Sequence, residues 1–323
     1  MIYTFLGRTG LKISKVALGT WQFGSRSWGY GVSYGRSECV MAVRTGVEYG
    51  INLIDTAEVY GSGLSEEIVG EAIRGMRERV MIATKVSPTH LSYNGTIKAC
   101  ERSLRRLGVK SIDLYQVHWP NPLIPISQTM RAMEKLVEMG KISYIGVSNF
   151  SKKLLVKAQE TLRREEIVSD QVKYNLLERG VEDELLPYAE KEGITILAYS
   201  PLAQGLLTGK YSRANPPRDV VRKVNILFDS RNMVRLEPLL THLNTIADRN
   251  GATSAQIALR WLISRDRVVA IAGVKNSIQA AECAAAAEAS LSPEDHQLLD
   301  KLSRETQVSR GWSYLRVLGR LLR

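Results

Sequence analysis

Asp55, Tyr60, Lys85 and His118 are the side chains of this sequence whose types could share proton-transfer chemistry. A free phenol titrates at about 10, too high for ready proton exchange at neutral pH. An ammonium beside it stabilises the phenolate and lowers that value. Lys85 is expected to do this for Tyr60, with Asp55 keeping the ammonium protonated and aimed. Tyr60 would then act as a general acid. His118 could donate a hydrogen bond to a substrate oxygen and hold the reacting geometry. Taken singly, each has a plainer explanation: a structural salt bridge, a loop aromatic, a core histidine. Their places in the pattern of elements decide against it.

Apolar runs of strand length alternate with helical patterns along the chain. The strand-like runs are Val16–Thr20, Asn52–Ala57, Val80–Val86, Ile112–Trp119, Ile142–Ser148, Asp170–Tyr174, Thr195–Ser200 and Val268–Val274. Between them, apolar residues at helical spacing mark Glu38–Tyr49, Glu66–Arg74, Thr96–Leu107, Ser127–Met139, Lys152–Leu162 and Glu182–Glu192. Later helices fall near Val234–Arg249, Ser254–Ser264, Ile278–Ala287 and Ser292–Glu305. Ser65 is expected to cap the second helix, while Gly108, Gly140 and Gly193 stop three others. A hairpin at Ile2–Phe5, with a turn at Gly7–Gly10, comes first. Leu202–Asp229 is too long for a simple connector and is expected to fold as a lid.

Eight βα units in series predict an α/β fold with a parallel sheet. Either a closed (β/α)₈ TIM barrel or an open doubly wound sheet satisfies that pattern. The open form would bind a dinucleotide through G-x-G-x-x-G after an early strand, and no such run occurs here. In a barrel, Asp55, Lys85, His118, Ser148, Asn149, Tyr199, Ser200 and Lys275 all reach one mouth, where active sites of that fold lie. Trp21, Trp28, Tyr34 and Trp119 could wall it. The expected organisation is one domain over residues 1–323, with the N-terminal hairpin and extra C-terminal helices outside the barrel.

Bulk properties narrow the classes. With 323 residues and 44% hydrophobic content, the chain can bury one large core. Three scattered cysteines, Cys39, Cys100 and Cys283, argue against a disulfide framework or a cysteine zinc site, and fit a reducing cytoplasm. None of the other three histidines, His90, His242 and His296, shares a metal-ligand spacing with His118, so no metal is expected. The first residues carry charge and turns too early for a signal peptide, and no run is long enough to span a membrane. The net charge of +11 is read as a soluble basic protein without nucleic-acid partners. Part of it sits in a C-terminal tail with Trp312, Tyr314, Leu315, Val317 and Leu318, expected to form a docked amphipathic helix. Assembly into a homo-oligomer is compatible with all of this.

At these residues the sequence resembles the aldo-keto reductase family, in register across nearly its whole length. The matching segments are L-G-T-W at Leu18–Trp21, N-x-I-D-T-A-E-x-Y-G at Asn52–Gly61, A-T-K at Ala83–Lys85 and D-L-Y-Q-V-H at Asp113–His118. They continue with G-V-S-N-F at Gly146–Phe150, Q-V-x-Y-N at Gln171–Asn175, Y-S-P-L-A-Q-G-L-L-T-G-K at Tyr199–Lys210, and Ile271–Glu282. The resemblance implies NADP(H)-dependent reduction of aldehydes and ketones, with NAD(H) the less expected cofactor. It makes Asp55, Tyr60, Lys85 and His118 the catalytic tetrad. It puts Gly19, Thr20, Trp21 and Asp55 against the cofactor, Ser148, Asn149 and Gln171 on its carboxamide, and Tyr199 on the nicotinamide ring. Ser200, Pro201, Leu202, Gln204, Gly205 and Lys210 would cover the pyrophosphate. Gly273, Lys275, Gln279 and Glu282 would meet the adenosine end, with Lys275 on a 2′-phosphate. Substrate would lie among Trp21, Trp28, Tyr60, His118 and Trp119. Ala272 and Cys283 depart from the family, which often has proline and asparagine there. Two other readings compete: a non-turnover redox sensor like the potassium-channel β-subunits, and a hydrolase or lyase using Asp55 and Lys85 without a nicotinamide.

Overall fold

Strands buried on both faces must be apolar throughout, and this chain places them so that helices cover one face and other strands the other. The computed structural model describes residues 1–306 and residue 308. A hairpin of β1 (Tyr3–Phe5) and β2 (Lys12–Ser14) is followed by β3 (Val16–Gly19), α1 (Arg36–Glu48), β4 (Leu53–Asp55), α2 (Leu64–Ala72), β5 (Met81–Val86) and α3 (Tyr93–Leu107). Next come β6 (Ile112–Val117), α4 (Ile126–Glu138), β7 (Ile142–Ser148), α5 (Lys152–Gln159), β8 (Ile167–Lys173), α6 (Leu185–Glu192) and β9 (Thr195–Tyr199). The last third holds α7 (Val220–Lys223), α8 (Ser230–Arg249), α9 (Ser254–Ile263), β10 (Val268–Gly273), α10 (Ser277–Ala285) and α11 (Pro293–Glu305).

Among the described residues, β3 to β10 close into a parallel barrel in chain order, with β10 returning to β3. The expected TIM barrel with an N-terminal hairpin is therefore observed, and the open sheet is excluded. Ala17, Leu53, Ala83, Leu114, Leu197 and Val269 pack inside it together with Leu6 and Ile13 from the hairpin. The hairpin thus plugs one end and leaves the other, at the strand C-termini, to side chains that are polar. A second, larger apolar cluster fills the layer between barrel and helices.

Local differences from the expected elements have simple causes. Ser65 does not cap α2 but lies in its first turn, where its hydroxyl bonds Thr20 Oγ1 at 2.7 Å and Thr56 Oγ1 at 2.9 Å. Gly63, in the left-handed region at φ 97°, takes the N-cap position instead. The first turn of α3 begins earlier than expected because Ser92 caps it, accepting from Gly95 N. The Leu202–Asp229 segment is partly wound: short 3₁₀ turns at Ala203–Thr208 and Ile226–Phe228 flank α7, while residues 210–219 hold no regular structure. The tail expected to form an amphipathic helix lies outside the described residues.

Leu114 is fully buried inside the barrel, beneath the polar mouth. Leu114→Ala is expected to cost about 2–5 kcal/mol of unfolding free energy, measured by denaturant melts. A loss below about 1 kcal/mol would mean that the barrel interior collapses around the vacancy.

Candidate active site

Parallel register sets the mouth. Gly19 pairs with Asp55, Lys85 with Gln116, and Ser148 with Gln171. Side chains two residues apart on a strand share a face, so Asp55, Lys85, Gln116 and Gln171 meet inside the barrel top. Lys85 is fully buried. Its Nζ lies 2.6 Å from Asp55 Oδ1, 2.8 Å from the Thr56 carbonyl and 3.4 Å from the Tyr60 hydroxyl. An ammonium has three hydrogens and no lone pair, so all three are used and Tyr60 Oη must be the acceptor. The phenol keeps its own hydrogen to donate elsewhere.

Burial opposes the Lys85 charge, but Asp55 and then Tyr60 outweigh it and raise the lysine above its ordinary value. For Tyr60 the balance departs from the sequence-based expectation. Burial raises the phenol most, Lys85 lowers it and Asp55 raises it, for a net upward shift. The lysine effect is present, but desolvation of a group held among packed side chains is larger. Tyr60 is thus a protonated phenol at neutral pH. Its loop is fixed from behind by Glu58, a buried carboxylate that accepts from Ser87 N at 2.7 Å, His90 Nδ1 at 2.9 Å and Arg102 at 3.1 Å. That anchor was not singled out from sequence, although Glu58 lies inside the quoted D-T-A-E-x-Y motif.

His118 stands edge-on to Tyr60, with ring centroids 5.5 Å apart. Burial, followed by the Lys85 charge, lowers its pKa to about 3. A neutral imidazole carries one N–H, which can serve an oxygen placed between the two rings. Asn149 Nδ2 donates to the His118 carbonyl and to Ser148 Oγ, and Tyr199 Oη donates to Asn149 Oδ1 at 3.0 Å. These contacts orient three side chains along one wall. Asn149, Ser200, Ala203 and Gln204 all hold positive φ without being glycine. Such backbone costs roughly 1–3 kcal/mol per residue and gathers at functional sites.

A cavity of about 820 Å³ opens here. Tyr60 and His118 line it, as does every residue expected to touch cofactor, from Gly19 and Trp21 through Ser200, Gly205 and Lys210 to Gly273, Lys275, Gln279 and Glu282. Trp28 and Trp119 line it too, whereas Lys85 lies behind Tyr60 and Tyr34 does not reach it. At the far end, Lys275 Nζ donates to the Trp28 carbonyl at 2.6 Å. Burial, then Arg222, depresses the lysine, with Lys210 adding to it. Crowded cations of this kind suit an anion. Arg222 was missed from sequence because no motif marks it. It stacks between Trp28 and Tyr211, at 4.8 and 5.2 Å, and donates to the Gln204 carbonyl and Asp219. The 202–229 segment is thereby strapped to the β3–α1 loop. Cys283 also lines the cavity, its thiol pushed up to about 12 by burial and then by Glu282, so it is a poor nucleophile.

A sequence profile described as the Aldo/keto reductase family matches residues 15–304. The chain belongs to the aldo/keto reductase family. It is 44% identical over 294 residues to an uncharacterized oxidoreductase of Mycobacterium tuberculosis, covering 91% of this chain and 90% of that one. An NADH-specific methylglyoxal reductase of Escherichia coli is 32% identical over 322 residues, covering 92% and 97%. An aldo/keto reductase from Klebsiella pneumoniae, crystallised with NADP and acetate, matches with a TM-score of 0.74 at 33% identity, covering 93% and 95%. Of these three, the Escherichia coli reductase is named for NADH and the Klebsiella pneumoniae structure holds NADP. Among the described residues, no helix is long and apolar enough to cross a membrane.

Because His118 is depressed by its surroundings, its ring should remain neutral through mildly acidic pH. The ¹H–¹³C NMR shifts of the His118 ring are expected to stay flat between about pH 8 and 5, across the ordinary imidazole value of about 6.5. A midpoint near that ordinary value would show a solvated imidazole instead.

Proposed function

We propose that this chain reduces aldehydes or ketones to alcohols with NADPH, reversibly, and that Tyr60 supplies the proton. The hydrogen-bond polarity at the phenol carries this reading: Lys85 gives Tyr60 Oη a hydrogen, so Tyr60's own proton faces the cavity. The nicotinamide, when bound, supplies the hydride. The chain's residues do the rest. Charge developing on the carbonyl oxygen is met by Tyr60, which transfers its proton, and by His118, which orients that oxygen through a neutral N–H. Asp55 and Lys85 hold Tyr60 in place. Trp21, Val59 and Trp119 offer exposed apolar surface beside it, suited to the body of a small uncharged carbonyl compound.

Ser148, Asn149 and Gln171 would hold the carboxamide and Tyr199 the nicotinamide ring. Ser200 to Lys210, closed by the Arg222 strap, would cover the pyrophosphate. Gly273, Gln279 and Glu282 would receive the adenosine. Lys275 would take the 2′-phosphate, and the cation set of Lys210, Arg222 and Lys275 favours NADP(H) over NAD(H). The NADH-specific relative gives that preference a direct test. Three buried free thiols suit a reducing compartment such as the cytoplasm.

Tyr60→Phe should abolish nearly all NADPH consumption with a nitrobenzaldehyde while NADPH still binds, as read by fluorescence quenching. Retained turnover would remove Tyr60 from the acid role. The reactive form is the protonated phenol, and its pKa is raised. Reduction by the wild type should therefore hold steady through neutral pH and fall only above about pH 10, the ordinary tyrosine value. Alcohol oxidation, which needs the phenolate, should rise over the same alkaline range.

Lys275→Glu should raise the KM for NADPH far more than that for NADH, because a 2′-phosphate carries about −1.5 to −2 charge. Equal effects on the two cofactors would leave Lys275 without that contact.

A further inference from the structure

We propose that Gln116 is a positioning residue of this site, one that shares the second oxygen of Asp55 with Gln171 and takes the remaining amide hydrogen of Gln171, so that Gln171 is held with its oxygen toward the cavity. The inference rests on the reading of Tyr60 as proton donor and of Gln171 as a cofactor contact. Gln116 is fully buried inside the barrel, in register with Lys85 on the neighbouring strand. Lys85 occupies Asp55 Oδ1, and two amides share the other oxygen. Gln171 Nε2 donates to Asp55 Oδ2 at 2.8 Å and Gln116 Nε2 donates to it at 3.3 Å. Gln171 Nε2 also donates to Gln116 Oε1 at 3.3 Å.

A carboxylate only accepts, so both amides must turn their nitrogens toward Asp55. Gln116 then presents its carbonyl oxygen to the second hydrogen of Gln171. With both hydrogens engaged, Gln171 meets the cavity with its Oε1, an acceptor. An acceptor at that point matches the NH₂ of a carboxamide. Gln116 is suited to this task because one short side chain donates to Asp55 and accepts from Gln171 at once. The barrel makes room for it: a Cβ added at Gly146 on β7 would lie 2.8 Å from Gln116 Cγ and 2.7 Å from Ser169 Oγ. Gly146 thus serves clearance here, and leucine or methionine in place of Gln116 would fill the volume without the hydrogen bonds. The titratable groups around this point are Asp55, Lys85, Tyr60 and, two residues along the strand, His118.

Two variants test the assignment. Gln116→Met removes donor and acceptor at similar volume. It should lower kcat about tenfold, the scale of losing a hydrogen bond to a charged group, and weaken NADPH binding several-fold, with the melting temperature little changed. Gln116→Glu separates positioning from packing. Below its pKa the introduced carboxyl can still donate to Asp55 and accept from Gln171. Once ionised it faces Asp55 as a like charge and can no longer donate. Its kcat and NADPH affinity should therefore approach wild type at low pH and fall as pH rises, while the wild type stays flat. A merely structural glutamine would give a loss independent of pH.

Wild-type kcat, NADPH affinity and pH profile in both variants would overturn the proposal, and so would a pH-independent loss in Gln116→Glu. Should the wild type reduce no carbonyl, the functional reading fails. The NADPH dissociation constants still decide this inference in that case: unchanged values in both variants reject it, and weakened binding restored at low pH supports it. Active wild type, inactive Tyr60→Phe and unaffected Gln116 variants would sink this inference alone.

Discussion

A charged pair buried at the top of a barrel sets the terms for everything around it. Lys85 and Asp55 are both taken out of water, which costs heavily unless each polar atom finds a partner. Each does. The ammonium spends its three hydrogens on Asp55, the Thr56 carbonyl and Tyr60. The second carboxylate oxygen takes two glutamine amides. Removing either ion would strand the other, which is why the pair is better understood as a constraint than as a gain in stability. It forces the β4–α2 loop to pass over Lys85, and so places Tyr60 where its phenol can be reached from the cavity. Glu58 holds the same loop from the helix side.

The cavity built on this pair has two unlike ends. Around Tyr60 and His118, burial favours the uncharged form of each group, and apolar side chains from Trp21, Val59 and Trp119 complete the wall. Toward β10 the surroundings are cationic, with Lys210, Arg222 and Lys275 close enough for their charges to act on one another. A neutral, largely apolar region beside a positively charged one suits a ligand with a neutral reacting ring and anionic phosphates. Asn149, Ser200 and Gln204, all with left-handed backbone, line the groove between them. The Arg222 stack on Trp28 and Tyr211 then roofs it.

Much of this was legible before any coordinates. Parallel strands covered on both faces read as continuous apolar runs, so a polar residue at the end of such a run stands out. That contrast marked Asp55, Lys85, His118 and Ser148, and the alternation of strand and helix gave their common mouth. The contacts that the family resemblance implied, from Gly19 to Glu282, all line one cavity. Residues whose importance comes from what lies opposite them were not marked. Arg222 sits in a segment with no periodicity, and Gln116 looks like one polar residue in a strand. Ser65, the expected helix cap, is used to tie Thr20 to Thr56 instead.

By itself the sequence determined the alternation of strand and helix, the motifs of the family and which candidate groups could react, because those follow from residue type and from spacing along the chain. Tertiary structure decided the protonation of those groups and the direction of their hydrogen bonds. Residue types alone suggested a phenol made more acidic by its lysine. Packing around the mouth removes enough water from that half-buried phenol for desolvation to win, and leaves it a protonated donor. The sign of that balance depends on burial and on separations of a few ångströms between residues far apart in the chain, quantities that no local pattern of residues encodes.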